Sequence, residues 1–272
     1  KGNVVVDGSA TIKTSASGSK VRLESAVAGG DGDVIIESGA SVEATSRVEL
    51  MGDGGNVSIA KEAVVNVTGD NGLVMVASAV NDASTGGVSV NGTITAQGKD
   101  GGVQITAGYG NASAGNVEIG GDADVVASGE GGTVFINSKT DGASRGVVVV
   151  DGRISAEDYV QIHAQNGEIS LGEHGGITAG RTEGTAIRLA TVDAAGVGGN
   201  VSIAGVLEAK NGGDIHVISE TDDQDSAATS VGLGSVILER SGLLKGAGTA
   251  FLMAGFSKGA RGDLTINGRV DS

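Results

Sequence analysis

Hydrophobic residues alternate with small or polar ones in short bursts along the whole chain, and the bursts share a phrase. GNVVVDG from Gly2 recurs as GDVIIES from Gly32, GNVSIAK from Gly55, GGVSVNG from Gly86 and GNVEIGG from Gly115. It continues as GVVVVDG from Gly146, GEISLGE from Gly167, GNVSIAG from Gly199, GSVILER from Gly234 and GDLTING from Gly262. Gly comes first, and aliphatic residues hold the third and fifth places. That period of two is the signature of a short strand with one buried face. Val57, Ile59, Val117, Ile119, Val201 and Ile203 are therefore expected to point inward and to stack in two aliphatic columns.

A second apolar phrase lies within each interval, among them KVRLES (20–25), LVMVAS (73–78), TVFINS (133–138), IRLATV (187–192) and DIHVIS (214–219). A third short strand lies between the two, as in GTITAQG (92–98) and GVLEAKN (205–211). Each unit reads strand, turn, strand, Gly-rich turn, strand. No such unit can bury its apolar face alone, so successive coils must stack and share one core. The fold expected is all-β: a right-handed parallel β-helix of about nine to ten coils, three short strands per coil, forming a rod about 45 Å long at roughly 4.8 Å per coil. A β-sandwich also uses many short strands, but it does not repeat one phrase ten times. The phrase starts are unevenly spaced, close at Gly146 and Gly167 and distant at Gly199 and Gly234. This irregularity suits the right-handed form and not the strict six-residue beat of the left-handed one. The calcium-binding nonapeptide of other β-rolls is missing: in GGDGDVIIE from Gly29, Val34 stands where the ligand Asp belongs.

The extra residues fall at one place, between the end of the third strand and the next Gly phrase. Examples are AVNDAST (79–85), YGNASA (109–114), KTDGASR (139–145), ETDDQDSAATSVGL (220–233) and FSKGAR (256–261). Inserts leaving the same corner of successive coils should align as a ridge along the rod. Such a ridge is either a binding surface or a corner that tolerates insertion.

Composition sharpens this picture. The 272 residues include 50 Gly and no Pro, Cys or Trp, with aromatics at 2%. The core must be thin and built from Val, Ile, Leu and Ala. Gly at the corners is expected to supply positive φ, and the absence of Pro leaves every residue its N–H for the ladder between coils. Zero Cys removes disulfides and thiolate metal sites. The formal net charge of −15 argues against nucleic acid and against membrane insertion at anionic surfaces. The chain opens directly in a strand phrase, so residues 1–272 read as a single β-helix segment of a longer repetitive exoprotein.

Gly-Asn-Val-x-Ile alternating with Gly-x-Ile-x-Ala, punctuated by Gly-Gly, resembles the long exoproteins of bacterial two-partner secretion. These are the filamentous-haemagglutinin-like adhesins, biofilm-matrix adhesins among them. The resemblance covers the whole chain and rests on the style of the repeat. Family members carry an N-terminal secretion domain with an Asn-Pro motif, which a chain without Pro does not contain; autotransporter passengers share similar repeats. The resemblance implies a shaft segment, secreted or held at the bacterial surface outside the outer membrane after passage through an outer-membrane transporter. It implies adhesion to surfaces, matrix or cells, with exopolysaccharide or host and bacterial surface glycans as partners; that the chain is not an enzyme is expected from its scattered Asp and Glu and the lack of a Ser/His/Asp set or phosphate loop.

The competing class is a β-helical polysaccharide lyase or hydrolase, which needs paired carboxylates or a base with bound calcium. Glu220, Asp222, Asp223 and Asp225 form the one dense acidic group; Asp222, Asp223 and Asp225 are the candidates for calcium, with a solvated loop as the plain alternative. His163 and His216 are expected at outward positions in separated coils, and His174 in a turn. Tyr109 and Phe256 stand out as aromatics within inserts and are the candidates for a ligand contact; folding back over their own loops is the alternative. Asn56, Asn66, Asn91, Asn111 and Asn200 open Asn-x-Ser/Thr sequons. Asn56 and Asn200 share one slot of the repeat, so stacking at a corner explains them. Finally, Arg261, Gly262 and Asp263 spell the tripeptide that animal integrins read. Gly262 is also the Gly of the repeat phrase, and Asp263 fills the slot of Asn200, Asn56 and Asp33, so the tripeptide is expected to be a coil corner.

Overall fold

The computed structural model describes residues 2–25, 32–139, 146–192, 199–219, 234–246, 248–255 and 262–271. Among them there are only strands and turns. Three parallel sheets run the length of the molecule, with ten, ten and nine strands. The first coil contributes Val4–Val6, Thr11–Lys13 and Lys20–Ser25, one strand to each sheet. Later coils repeat that assignment, except that the last has only Leu264–Ile266 and Arg269–Asp271 among the described residues, and each strand pairs with its counterparts in the adjacent coils. The result is a parallel β-solenoid with three strands per coil.

Register follows the repeat phrase. Val88 pairs with Val57 on one side and Val117 on the other, and Val90 with Ile59 and Ile119. A slip of one residue would turn every aliphatic residue outward, so the alternation excludes odd-numbered slips of register. Val57, Ile59, Val117, Ile119, Val201 and Ile203 are all buried, as the alternation predicts. The core is Val, Ile, Leu and Ala throughout, with no aromatic residue among its described members.

The glycines that open the phrases play a different part from the one expected. Positive φ is found elsewhere: at Asn71, Asp100, Gly131 and Gly212 in the turn before the third strand, and at Ala79, Gly108 and Asn166 just after it. Gly115, Gly199 and Gly262 have ordinary φ. They must be Gly because each stacks on the phrase Gly of the preceding coil. A Cβ at Gly115 would strike the Gly86 carbonyl oxygen, one at Gly199 the Gly167 oxygen, and one at Gly262 the Gly234 oxygen. Close approach of backbone, not torsional freedom, explains this column.

Buried hydroxyls satisfy the same corner. Ser78 donates to Gly86 O at 2.6 Å, Ser138 to Gly115 O at 2.5 Å, and Thr191 and Ser219 both to Gly199 O at 2.9 Å. Each closes a third strand with a small polar residue, because a buried carbonyl without a partner is costly.

A candidate binding strip on the third sheet

In the third sheet the inward positions are aliphatic, and the residues between them face out. Those outward slots hold three of the chain's five aromatic residues, Phe135, Tyr159 and Phe251, together with His163, His216 and Arg188. Register brings them onto neighbouring strands. Phe135 pairs with Gln161, Gln161 with Arg188, Arg188 with His216, and His216 with Phe251. Five consecutive strands, from Thr133–Ser138 to Ala250–Ala254, thus carry one strip about 19 Å long at roughly 4.8 Å per strand.

The strip is held together by side-chain contacts. The rings of Phe135 and Tyr159 meet edge to face at 5.8 Å between centroids, and the Arg181 guanidinium lies 4.8 Å over the Tyr159 ring. Arg181 is fixed in turn by two hydrogen bonds to Asp158, Nε to Oδ1 at 2.8 Å and Nη2 to Oδ2 at 2.5 Å. These bonds hold the Asp158 carboxyl below its usual range. Burial pushes the Tyr159 phenol up, so it keeps its proton and donates to Gln161 Oε1 at 3.0 Å. Farther along, His216 packs edge to face on Phe251 with centroids 4.8 Å apart and approaches the Thr185 hydroxyl at 3.4 Å. Burial pushes the His216 imidazole down and Arg188 acts in the same sense, against Asp214. The ring is therefore neutral near neutral pH. Asp214 is the one carboxylate within these five strands, and it accepts from Thr249 N at 2.7 Å. With Asp158 paired to Arg181, the strip carries almost no net charge on a strongly acidic chain. It presents ring edges, amides and guanidinium groups, which suits non-covalent binding of a polar, uncharged surface.

The other sequence candidates are distributed differently. His163 and His216 do face outward, but lie in different columns, two strands apart in the sheet; His174 is exposed in a turn. His216 is half-buried against Phe251 and not simply solvated. Tyr109 is 39% exposed, with the Lys139 ammonium 5.7 Å from its ring centre. Its insert does form a ridge with the one before: Gly110 N donates to Ala79 O at 2.9 Å, Asn111 N to Asp82 Oδ1 at 2.9 Å, and Ala83 N to Asn111 O at 2.9 Å. Phe256, Asp222, Asp223, Asp225 and Arg261 lie outside the described residues. Among those described, no three His, Asp or Glu side chains are grouped to hold a metal, and no helix is long and apolar enough to cross a membrane.

Gly262 and Asp263 sit at a coil corner. Asp263 N donates to Ser235 Oγ at 3.2 Å, and Asp263 O accepts from Val236 N at 3.1 Å. Asp263→Asn, which places there the residue found at Asn200, should leave the melting temperature unchanged and cell attachment to the immobilised protein unaltered. Strong attachment by the parent, lost in an equally stable Asn variant, makes the tripeptide an integrin ligand after all.

The strip itself escaped the sequence reading. Phe135, Gln161, Arg188 and His216 occupy the middle places of VFI (134–136), VQI (160–162), IRL (187–189) and IHV (215–217). A search of those middle places for clustered residue types was the available signal. A scan against protein-family models, a search of curated proteins and a search of solved structures each found no match to the chain.

Proposed function

We propose that this chain is a stretch of the shaft of a secreted bacterial adhesin, held outside the outer membrane, and that the third-sheet strip is where it grips exopolysaccharide or surface glycans. The repeat style that resembles filamentous-haemagglutinin-like exoproteins supports the placement. The observation that carries the binding role is the continuous strip from Phe135 to Phe251. A solenoid has no structural need for half-exposed rings and guanidinium groups on an outer face, and a polymer laid along the rod could touch one coil after another. Weak contacts repeated along a rigid rod add through effective concentration.

The test is retention on a panel of immobilised neutral bacterial polysaccharides. Arg188→Ala and Phe251→Ala, both outward-facing, should keep the far-ultraviolet circular dichroism of the parent and weaken retention about tenfold each, the loss of one charge-assisted hydrogen bond or one ring contact. Unchanged retention in both variants removes the strip as the binding surface. Release of unsaturated uronides from acidic polysaccharides in the presence of calcium identifies a lyase instead.

A further inference from the structure

A side-chain ladder runs along the corner that opens the first sheet. At the second place of the phrase, a side-chain oxygen accepts from the backbone N–H at the same place one coil later. Asn3 Oδ1 takes Asp33 N at 3.1 Å, Asp33 Oδ1 takes Asn56 N at 2.8 Å, and Asn56 Oδ1 takes Gly87 N at 2.8 Å. The series resumes with Asn116 Oδ1 and Val147 N at 2.9 Å, and with Asn200 Oδ1 and Ser235 N at 2.9 Å. Two slots, Gly87 and Val147, have no acceptor to offer. Val147 fills its place with an aliphatic side chain. Gly87 leaves its place empty, and the Asn116 N–H has no ladder partner there.

That missing rung opens a dent of about 200 Å³ on the outer face of the first sheet. The hydroxyls of Ser58 and Ser89 line it, Asn56 and Asn116 flank it, and the Glu118 carboxylate stands on its rim. It lies on a different sheet from the strip. We propose that this dent is a second binding site, for a single uncharged sugar ring. Its groups suit hydroxyls, each of which both donates and accepts. Glu118 and Ser58 accept, while the Asn116 N–H and the serine hydroxyls donate; Ser89 Oγ already accepts from Asn91 Nδ2 at 3.4 Å. Glu118, on a chain of net charge −15, disfavours an anionic ligand. One carboxylate is too few for calcium, which takes six to eight oxygens. The volume is below that of a typical drug-sized pocket, roughly 300 Å³ and upward, and matches one ring in place of an oligosaccharide.

The same geometry supplies the test. Gly87 has ordinary φ, and a Cβ there would meet Asn116 O, which accepts from Val88 N, at 3.2 Å, so a side chain is admitted once Asn116 gives by a few tenths of an ångström. Gly87→Asn therefore completes the ladder and fills the dent in one change. Saturation-transfer NMR with the methyl glycosides of glucose, mannose and galactose, and with glucuronate, should show transfer to at least one neutral glycoside and none to glucuronate. Gly87→Asn should melt no lower than the parent and lose that transfer. Glu118→Ala, a surface change that spares the fold, should weaken binding about tenfold, as loss of a hydrogen bond to a charged acceptor does. Absence of transfer to every neutral glycoside at tens of millimolar overturns the proposal. So does undiminished transfer in a folded Gly87→Asn variant. Should Gly87→Asn melt lower than the parent, Glu118→Ala decides, and unchanged affinity there counts against the site.

Discussion

Ile119→Asp should unfold the coils around it. Ile119 is fully buried and stands in its column between Val90 and Val150. The substitution removes a filled aliphatic volume and puts a carboxylate in a core whose neighbours offer no hydrogen bond. The cavity and the unpaired polar group together should cost at least about 4 kcal/mol. Because each coil is stabilised by its neighbours, the damage should spread along the stack and not stay local. Ile119→Val, which removes one methylene, should cost about 1 kcal/mol. Thermal melting followed by circular dichroism separates the two, and amide hydrogen exchange should show lost protection first in strands Val88–Val90, Val117–Ile119 and Val148–Val150. An Asp variant that melts like the parent places Ile119 outside the core and contradicts the fold.

The second large effect is expected at Gly199. Even Ala should be destabilising there, by about 3 kcal/mol, because its Cβ would collide with the Gly167 carbonyl oxygen of the coil below. The collision also disturbs the Gly199 carbonyl that Thr191 and Ser219 share. Gly121 provides the contrast: no heavy atom lies within 4 Å of a Cβ there, and its φ is ordinary. Gly121→Ala should be neutral or raise stability by about 0.5 kcal/mol through a less disordered unfolded chain. Chemical denaturation of the two variants side by side tests the account. Equal, small effects at both positions show that the phrase glycines are not packed against the preceding coil. Gly262, the middle residue of the Arg-Gly-Asp tripeptide, belongs to the Gly199 class, since its Cβ would strike the Gly234 oxygen.

Much of the architecture is legible from the chain alone. Alternation at Val57–Ile59 or Val201–Ile203 names the buried face, and recurrence of the phrase implies parallel stacking, because only equal units superpose coil on coil. The inserts at 79–85 and 109–114 align because the coil corners they leave are themselves aligned. Three decisions needed the tertiary structure. One is the reason for the phrase glycines: two carbonyls that collide across a coil interface lie far apart in sequence, so Gly115 and Gly86 look like turn residues until they are stacked. Another is the strip. Phe135, Arg188, His216 and Phe251 are separated by at least 28 residues from one to the next, and only the register of parallel strands makes them neighbours. The last is the dent at Gly87, which exists because Asn56 and Asn116 carry ladder side chains on either side of a residue that has none. Local patterning determines which face of each strand is buried, since burial depends on the alternation within a few residues. Side-chain neighbourhoods on the outer surface depend on which coil lies beside which, and the spacing of the phrases turns into contact only when the rod has formed.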